Sequence, residues 1–276
     1  MTSSVTADDI RDAEEPITVL TCYDYLTARA MDPVEELDMI LVGDTLGMVS
    51  LGYDSTVPVS VDDMVHHTAA VSRGVERVFV VADVPFLSVS KSLDHGVTVA
   101  QRLMQEGGAQ AIKIEGGERH QELIDHLTDH DVPVVGHLGL TPQSVEDLGG
   151  YKLQAQNADD IRELARDAAL LEEAGIMALV LECIPAEVGA AITNNTDVPT
   201  IGIGAGNQCD GQVLVWQDMM GFSENTPSFV KQYEHLDEQF QQSVQEYCRD
   251  VRSRAFPDED HSFSLEDDIS PDDVEE

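Results

Sequence analysis

The chain has 276 residues, 42% of them hydrophobic, which is enough for one large domain or two modest ones. It carries 53 Asp and Glu against 15 Lys and Arg, a net charge of −38, and its isoelectric point is near 4.2. This charge excludes most nucleic-acid-binding proteins, which need a basic surface against phosphate, and it disfavours binding to anionic membranes.

The two ends of the chain are rich in acid. Residues 1–15 have a net charge of −4 and are predicted to be an acidic N-terminal extension. Residues 257–276 hold ten acids, no Lys or Arg and few apolar side chains, which predicts a disordered tail. These ends leave −24 on residues 16–256, the predicted main domain.

The acid of the main domain is accompanied by few lysines, only four in the whole chain. This combination favours a salt-loving source, because excess carboxylates keep a protein hydrated where salt screens their repulsion. An ordinary acidic enzyme is the alternative. The four cysteines form no CxxC pair, and there is no signal peptide and no apolar run near the ~18 residues of a membrane helix. We therefore expect a cytoplasmic protein.

Short β-branched apolar runs recur along the chain and predict eight strands: 17–21, 39–43, 78–82, 111–114, 132–136, 178–181, 199–203 and 212–216. Most are continuous runs, as in parallel strands buried on both faces. Helical periodicity lies between several of them, at 99–106, 121–127 and 159–174, and a last outer helix is expected near 227–249. This order predicts a single-domain (β/α)8 TIM barrel, with a doubly wound open sheet as the alternative.

Charged side chains follow the predicted strands, at the end of a barrel where active sites form. They are Asp44, Asp83, Glu115, His137 and Glu182. Polar groups beside buried backbone must be paired, bound to a metal or directed into a cleft.

Lys113 is the most informative of the charged residues, since it lies inside the apolar run AIKIEGG. On a strand, Lys113 and Glu115 share one face, and a buried Lys needs anions around it. The carboxylates of Asp44, Asp83 and Glu115 carry a total charge of −3, against +1 on Lys113. A divalent cation would balance this charge, and an all-oxygen donor set favours Mg²⁺ over Zn²⁺. A set of ion pairs at the edge of the barrel is the alternative interpretation.

Glu182 lies in the apolar string LECIP, apart from the other carboxylates in sequence. A carboxylate with apolar neighbours suits a general base. A glutamate that caps the next helix is an equally good interpretation of this position.

Long sequence blocks now identify a family. The strings TVLTCYDY, LVGDTLGMVSLGYDSTVPVS, VVADVPF, KIEGG, GHLGLTPQS, LGGYK, LVLECIPAE and TIGIGAGNQCDGQVLVWQD resemble the successive blocks of the ketopantoate (3-methyl-2-oxobutanoate) hydroxymethyltransferase family. They run in order over residues 18–218, and their joint occurrence is far more specific than any single motif.

The resemblance implies a (β/α)8 barrel of the phosphoenolpyruvate/pyruvate superfamily, here over residues 16–256 as a catalytic domain. It implies transfer of a hydroxymethyl group from 5,10-methylenetetrahydrofolate to 3-methyl-2-oxobutanoate, which forms 2-dehydropantoate for pantothenate and coenzyme A biosynthesis. The implied partners are thus a small keto acid and a reduced folate, with self-association in a ring-like homo-oligomer such as a decamer.

The resemblance also implies roles for single residues. Mg²⁺ would be bound by Asp44, Asp83 and Glu115, and would stabilise an enolate. The keto acid would be bound by Asp44, Thr45, Asp83 and Lys113, with Glu182 as catalytic base. The family usually has Ser in place of Thr45, and an Asn near residues 99–100 that is missing here.

Two other functions compete with this one. A sister lyase or mutase on the same barrel would carry a KKCGH-like loop, and the chain has no such string. A non-catalytic acidic scaffold acting through its tail should show no metal-dependent binding of the keto acid.

Overall fold

The computed structural model describes residues 4–144, 152–223 and 226–264. Eight parallel strands form a closed barrel in sequential order, and β8 pairs with β1 to close it. The strands are β1 (Ile17–Thr21), β2 (Met39–Val42), β3 (Phe79–Asp83), β4 (Ala111–Glu115), β5 (Val134–Gly139), β6 (Ala178–Glu182), β7 (Thr200–Ile203) and β8 (Gly211–Leu214). The predicted (β/α)8 barrel is confirmed, and the open sheet is excluded because no edge is left between β8 and β1.

Helices surround this barrel in the expected alternation. They are α1 (Ala7–Arg11), α2 (Tyr25–Met31), α3 (Leu46–Val49), α4 (Val61–Ser72), α5 (Leu93–Gln101), α6 (Gln121–Thr128), α7 (Ala158–Glu173), α8 (Ala186–Thr193), α9 (Trp216–Met219) and α10 (Leu236–Ser253). The helix predicted at 99–106 instead begins at Leu93 and continues from α5 as a π-helical turn over Arg102–Glu106.

Helix α7 shows how local sequence sets an element. Asn157 caps its start, with the side-chain oxygen accepting from the backbone N–H groups of Asp159 and Asp160 at 3.0 and 3.1 Å. Gly175, at φ +79°, follows its end in the left-handed conformation that favours glycine. The face between these signals buries Leu164, Ala168 and Leu171.

The apolar core has two parts, one between the barrel and its helices and one inside the barrel. The inner part takes alternate residues of the strands, including Ile17 and Val19 of β1 and Phe79 and Val81 of β3. Helix α1 belongs to this inner part, since Ile10 is only 2% exposed and packs with it. The predicted N-terminal segment 1–15 therefore includes a helix that packs against the barrel.

The C-terminal part of the chain differs from the rest. Helix α10 begins at Leu236, later than the predicted 227–249, and none of its residues is buried. Within the described ranges, no helix is both long and apolar enough to cross a membrane. Residues 265–276, most of the predicted acidic tail, lie outside the described residues.

Candidate active site

The inward face of the barrel changes from apolar to charged at the C-terminal ends of its strands. On β3, Phe79 and Val81 belong to the inner core, and Asp83 follows two residues later. On β4, Ala111 belongs to the inner core, and Lys113 and Glu115 follow at the same two-residue spacing. Because side chains alternate along a strand, these charged groups project over the top of the apolar interior.

Several of the strands are longer than the sequence predicted. Asp83, Glu115 and Glu182 are the last residues of β3, β4 and β6, and His137 lies within β5 rather than after it. The neighbouring strands keep these residues paired, with Asp83 beside Lys113 and Glu115 beside His137. The charged side chains are paired with one another inside the barrel. The strands can therefore continue through these positions.

Three carboxylates meet in this region. Asp44, Asp83 and Glu115 are 1%, 3% and 4% exposed, and one oxygen of each lies within 4.8 Å of the others. The backbone N–H of Asp44 donates to Asp83 Oδ2 at 3.0 Å. Gln143 forms hydrogen bonds to both Asp44 and Glu115. Its side-chain Nε2 donates to Asp44 Oδ2 at 2.7 Å, and its backbone N–H donates to Glu115 Oε2 at 3.2 Å.

Lys113 is the buried cation beside these acids. Its Nζ lies 3.1 Å from Asp83 Oδ1, 3.7 Å from Glu115 Oε1 and 2.9 Å from His137 Nδ1. Burial lowers the pKa of Lys113, but the charges of Asp83, Glu115 and Asp44 outweigh burial and raise it. The predicted shared face of Lys113 and Glu115 is thus confirmed, and the lysine is held as an ammonium.

Glu182 is connected to the cluster through His137. Its Oε2 lies 3.2 Å from His137 Nε2, and its side chain is 14% exposed. The His137 ring is 2% exposed, and its Nδ1 lies 3.4 Å from Glu115 Oε1. Glu182 is therefore the member of this group that is open to a ligand arriving from solvent.

The cluster holds more negative charge than Lys113 can offset. Burial raises the pKa of Asp44 well above its usual range, and the charges of Glu115 and Asp83 raise it further. Burial also raises the pKa of Asp83, and Lys113 opposes this only in part. The group therefore needs either a bound proton or a further cation.

A divalent metal ion fits this need. Oxygen atoms bound to one Mg²⁺ lie about 3.0 Å apart when adjacent and about 4.2 Å apart when opposite, so the three carboxylates, now within 4.8 Å of one another, would draw closer around the ion. The donors are all oxygen, as hard cations prefer, and a divalent charge would offset the negative charges that raise the pKa of Asp44. Asp83 Oδ1 is buried, lies 3.1 Å from Lys113 Nζ and has no well-aligned hydrogen bond from any described residue, so it has capacity for a further cationic partner.

Comparison with known proteins identifies the family. The sequence model of the ketopantoate hydroxymethyltransferase family matches residues 4–259. The chain belongs to this family. A relative named 3-methyl-2-oxobutanoate hydroxymethyltransferase from Thermoanaerobacter sp. (strain X514) is 51% identical over 265 residues, 96% of each chain. One of the same name from Bacillus cereus (strain B4264) is 50% identical over 257 residues, 93% of this chain and 92% of the relative.

Solved structures share the fold of this ketopantoate hydroxymethyltransferase barrel. The chain is similar to 2,3-dimethylmalate lyase, a member of the PEP mutase/isocitrate lyase superfamily, with a TM-score of 0.59 and 14% identity. The alignment covers 99% of this chain and 94% of that one. This likeness extends the (β/α)8 fold to that lyase, and family membership excludes the competing interpretation of a non-catalytic acidic scaffold.

Thr45 is the predicted site residue with the least contact to the charged group. It precedes helix α3 and its side chain makes no capping hydrogen bond. Its hydroxyl nevertheless lies near the cluster, because a Cβ built on Gly43 would meet Thr45 Oγ1 at 3.8 Å and Asp83 Oδ2 at 3.5 Å.

Two residues near the cluster were not singled out from the sequence. Gln143 lies in the string TPQS, and a neutral amide there has no periodicity or charge to mark it. Tyr23 lies after β1 and is 2% exposed, and its hydroxyl has no hydrogen-bond partner among the described residues. Burial raises the pKa of Tyr23, as do the charges of Asp83 and Asp44, so the phenol stays protonated.

Proposed function

We propose that this protein transfers a hydroxymethyl group from 5,10-methylenetetrahydrofolate to 3-methyl-2-oxobutanoate, forming 2-dehydropantoate. This reaction would serve pantothenate and coenzyme A biosynthesis in the cytoplasm. Family membership and the names of the close relatives support it. The observation that carries it is the buried group of Asp44, Asp83 and Glu115 beside one lysine, with Glu182 at its open side.

We assign Asp44, Asp83 and Glu115 as the residues that hold Mg²⁺. When bound, Mg²⁺ supplies a Lewis acid at the keto group, which makes the C3–H bond of the substrate acidic enough to break near neutral pH. The raised pKa of Asp44 supports this assignment, because it marks a place where added positive charge is favourable.

The protein side chains have distinct tasks in this scheme. Lys113 pairs with the substrate carboxylate, and Asp44, Thr45 and Asp83 complete the keto-acid site. Glu182 takes the proton from C3, and C3 then forms a bond to the methylene carbon of the folate. Both carbon–nitrogen bonds of the methylene group break, and one water molecule supplies the hydroxyl oxygen of the product. The proton from C3 and one proton of the water go to the two folate nitrogens, which releases tetrahydrofolate.

Product formation tests this proposal. The purified protein should form 2-dehydropantoate from 3-methyl-2-oxobutanoate with a methylene-pterin donor, and EDTA should abolish the activity until Mg²⁺ is restored. Tetrahydrofolate and methanopterin donors should be compared in the same assay, which would identify the natural carrier. Absence of product with every donor, with the keto acid and Mg²⁺ bound, would reject the proposed reaction.

Self-association into a ring-like homo-oligomer such as a decamer is also part of the proposal. Helix α10 carries a stripe of apolar side chains at helical spacing, Phe240, Val244, Tyr247 and Val251, with exposures of 64%, 44%, 59% and 44%. A stripe of this kind is costly in water, so we expect a second copy of the chain to cover it.

Light scattering tests this interface. The double variant Val244→Asp/Tyr247→Asp should give a smaller species than the wild-type protein in molar KCl, because it places charge in an apolar contact. Gln242→Ala, about 200° around the helix from Phe240, is the control and should keep the wild-type mass. An unchanged mass in the double variant would reject α10 as the interface.

A further inference from the structure

His137 is the residue that lies between the buried cation Lys113 and the carboxylate of Glu182. Its Nδ1 lies 2.9 Å from Lys113 Nζ, and its Nε2 lies 3.2 Å from Glu182 Oε2. The ring is 2% exposed, and its other charged neighbour is Glu115, 3.4 Å from Nδ1. Nδ1 of His137 thus contacts the buried charged cluster, and Nε2 faces Glu182 at the open side of the site.

The contact with Lys113 fixes which nitrogen carries hydrogen. An ammonium group has three donors and no acceptor, so Nδ1 must accept from Lys113. The acidic partners of Lys113 keep it charged, and a hydrogen on Nδ1 would set two donors against each other at 2.9 Å. The neutral ring therefore carries its hydrogen on Nε2, the nitrogen that faces Glu182.

The hydrogen on Nε2 does not depend on the charge of His137, although protonation of Nδ1 would turn that nitrogen from an acceptor for Lys113 into a donor toward Glu115 Oε1, 3.4 Å away. An imidazolium ring also carries hydrogen on Nε2, so the donor toward Glu182 is present in either state. The Nε2–Glu182 contact is not yet well aligned as a hydrogen bond, since Nε2 has no aligned partner among the described residues. Catalytic hydrogen bonds in ligand-free sites are commonly loose and tighten once substrate is bound.

A hydrogen-bond donor at one oxygen of the Glu182 carboxylate fixes the orientation of the other oxygen. With Oε2 held by His137, Oε1 of Glu182 is left as the oxygen free to receive a proton. A partly exposed glutamate without such a partner would sample several rotamers, and misplacement of a base by about 1 Å can cost on the order of 10²-fold in rate. We propose that His137 is a positioning residue for Glu182, oriented by Lys113 so that its Nε2–H directs the carboxylate toward C3 of the keto acid.

This inference rests on the proposed function of Glu182, and paired substitutions of His137 test it. Gln at position 137 can place an amide N–H near the Nε2 position, which keeps the donor toward Glu182. Asn reaches only to the Nδ1 position, which keeps the acceptor for Lys113 and loses the donor. The readout is Mg²⁺-dependent exchange of the C3 hydrogen of 3-methyl-2-oxobutanoate for deuterium, without any folate.

We expect His137→Asn to lower the exchange kcat by about 10- to 100-fold, with His137→Gln within about tenfold of wild type. The KM for the keto acid and the Mg²⁺ affinity should change little in His137→Gln. A residue needed only for packing would not give this split. Equal loss in both variants, or wild-type exchange in His137→Asn, would overturn the positioning role.

Glu182→Gln separates the two proposals. If Glu182→Gln retains full exchange, the assignment of the base fails, whatever the His137 variants do. If Glu182→Gln is inactive and the two His137 variants lose activity equally, only the positioning role fails.

The wild-type protein gives a second test that does not depend on folding of the variants. With ¹⁵N-labelled histidine, the His137 ring should show a protonated Nε2 and an unprotonated or hydrogen-bonded Nδ1. A neutral ring that carries its hydrogen on Nδ1 would overturn the inference.

Discussion

Asp44 and Asp83 connect the electrostatics of the site to stability. Burial raises the pKa of both groups, so the metal-free folded protein holds protons that the unfolded chain releases near pH 4. The stabilisation is therefore complete below the unfolded-state pKa and is lost as pH rises through the raised folded-state values.

Bound Mg²⁺ should prevent this loss of stability at higher pH, since its charge offsets the charges of the ionised carboxylates. We expect the increase in Tm on adding Mg²⁺ to grow as pH rises above the unfolded-state value of about 4 and through the raised folded-state values. Differential scanning calorimetry with EDTA or Mg²⁺ measures it, and Asp44→Asn should both raise the metal-free Tm and reduce the Mg²⁺ effect. An Mg²⁺ effect that is independent of pH would contradict the assigned metal site.

Lys113 gives a second prediction about single residues. Lys113→Met keeps the length of the side chain but leaves the three buried carboxylates without their cation, so the metal-free protein should lose about 3–5 kcal/mol of unfolding free energy. Mg²⁺ should restore part of it, as urea denaturation would measure. Lys91→Met is the matched control, since Lys91 is exposed and its replacement should change stability by no more than about 0.5 kcal/mol. Similar losses in both variants would contradict the role of Lys113.

Among the secondary-structure elements, α1 is the one whose role was hardest to foresee. Its single buried residue, Ile10, packs with the inner apolar core of the barrel. Ile10→Ala should lower the unfolding free energy by about 2–4 kcal/mol, because a buried side chain is truncated. Arg11→Ala is the control, since its ion pair with Asp8 is exposed and contributes about 0–1 kcal/mol.

Activity at low temperature should be nearly unchanged in Ile10→Ala, since Ile10 contacts the apolar inner core and none of the charged cluster. A stability loss no larger than that of Arg11→Ala would show that α1 does not contribute to the barrel.

The predicted strands were recovered well because their signal is simple. Parallel strands buried on both faces are continuous apolar runs, and β2, β3 and β4 are buried along their whole length. The predicted element boundaries were wrong where tertiary contacts outweigh the local sequence pattern. His137 and Glu182 lie within strands because charged side chains beside them pair with them. The π-helical turn after α5 has no local sequence signature.

The candidate site was also only partly predictable. The acids Asp44, Asp83 and Glu115 could be grouped because strand ends converge in a barrel. The contact between His137 and Glu182 depends on which side chains face each other across β5 and β6, which strand positions alone do not fix. Gln143 and Tyr23 reach the site from segments outside the strands, so their contribution needed the folded structure.

For the whole molecule, surface charge is the dominant feature. One of the four lysines, Lys113, is buried, and the remaining three are exposed among more than fifty acids. We propose that the protein is adapted to high salt, since screening at molar ionic strength shortens the repulsion to about 3 Å.

Thermal unfolding across KCl concentrations tests this proposal. The Tm should rise from dilute buffer to molar KCl, because self-repulsion of the folded state is relieved. A matched series with sucrose controls for general exclusion effects. Full stability in dilute buffer, with no gain from KCl, would favour the alternative of an ordinary acidic enzyme.

In the proposed reaction, Glu182 removes the C3 proton of the keto acid beside the buried carboxylates that would hold Mg²⁺. NMR of 3-methyl-2-oxobutanoate in D₂O, in the presence of Mg²⁺ and without a one-carbon donor, measures this step alone. We expect rapid loss of the C3 hydrogen signal with the wild-type protein, and a rate lower by about 10²–10⁴-fold with Glu182→Gln. Equal exchange in the two proteins, or exchange that persists in EDTA, would contradict the account.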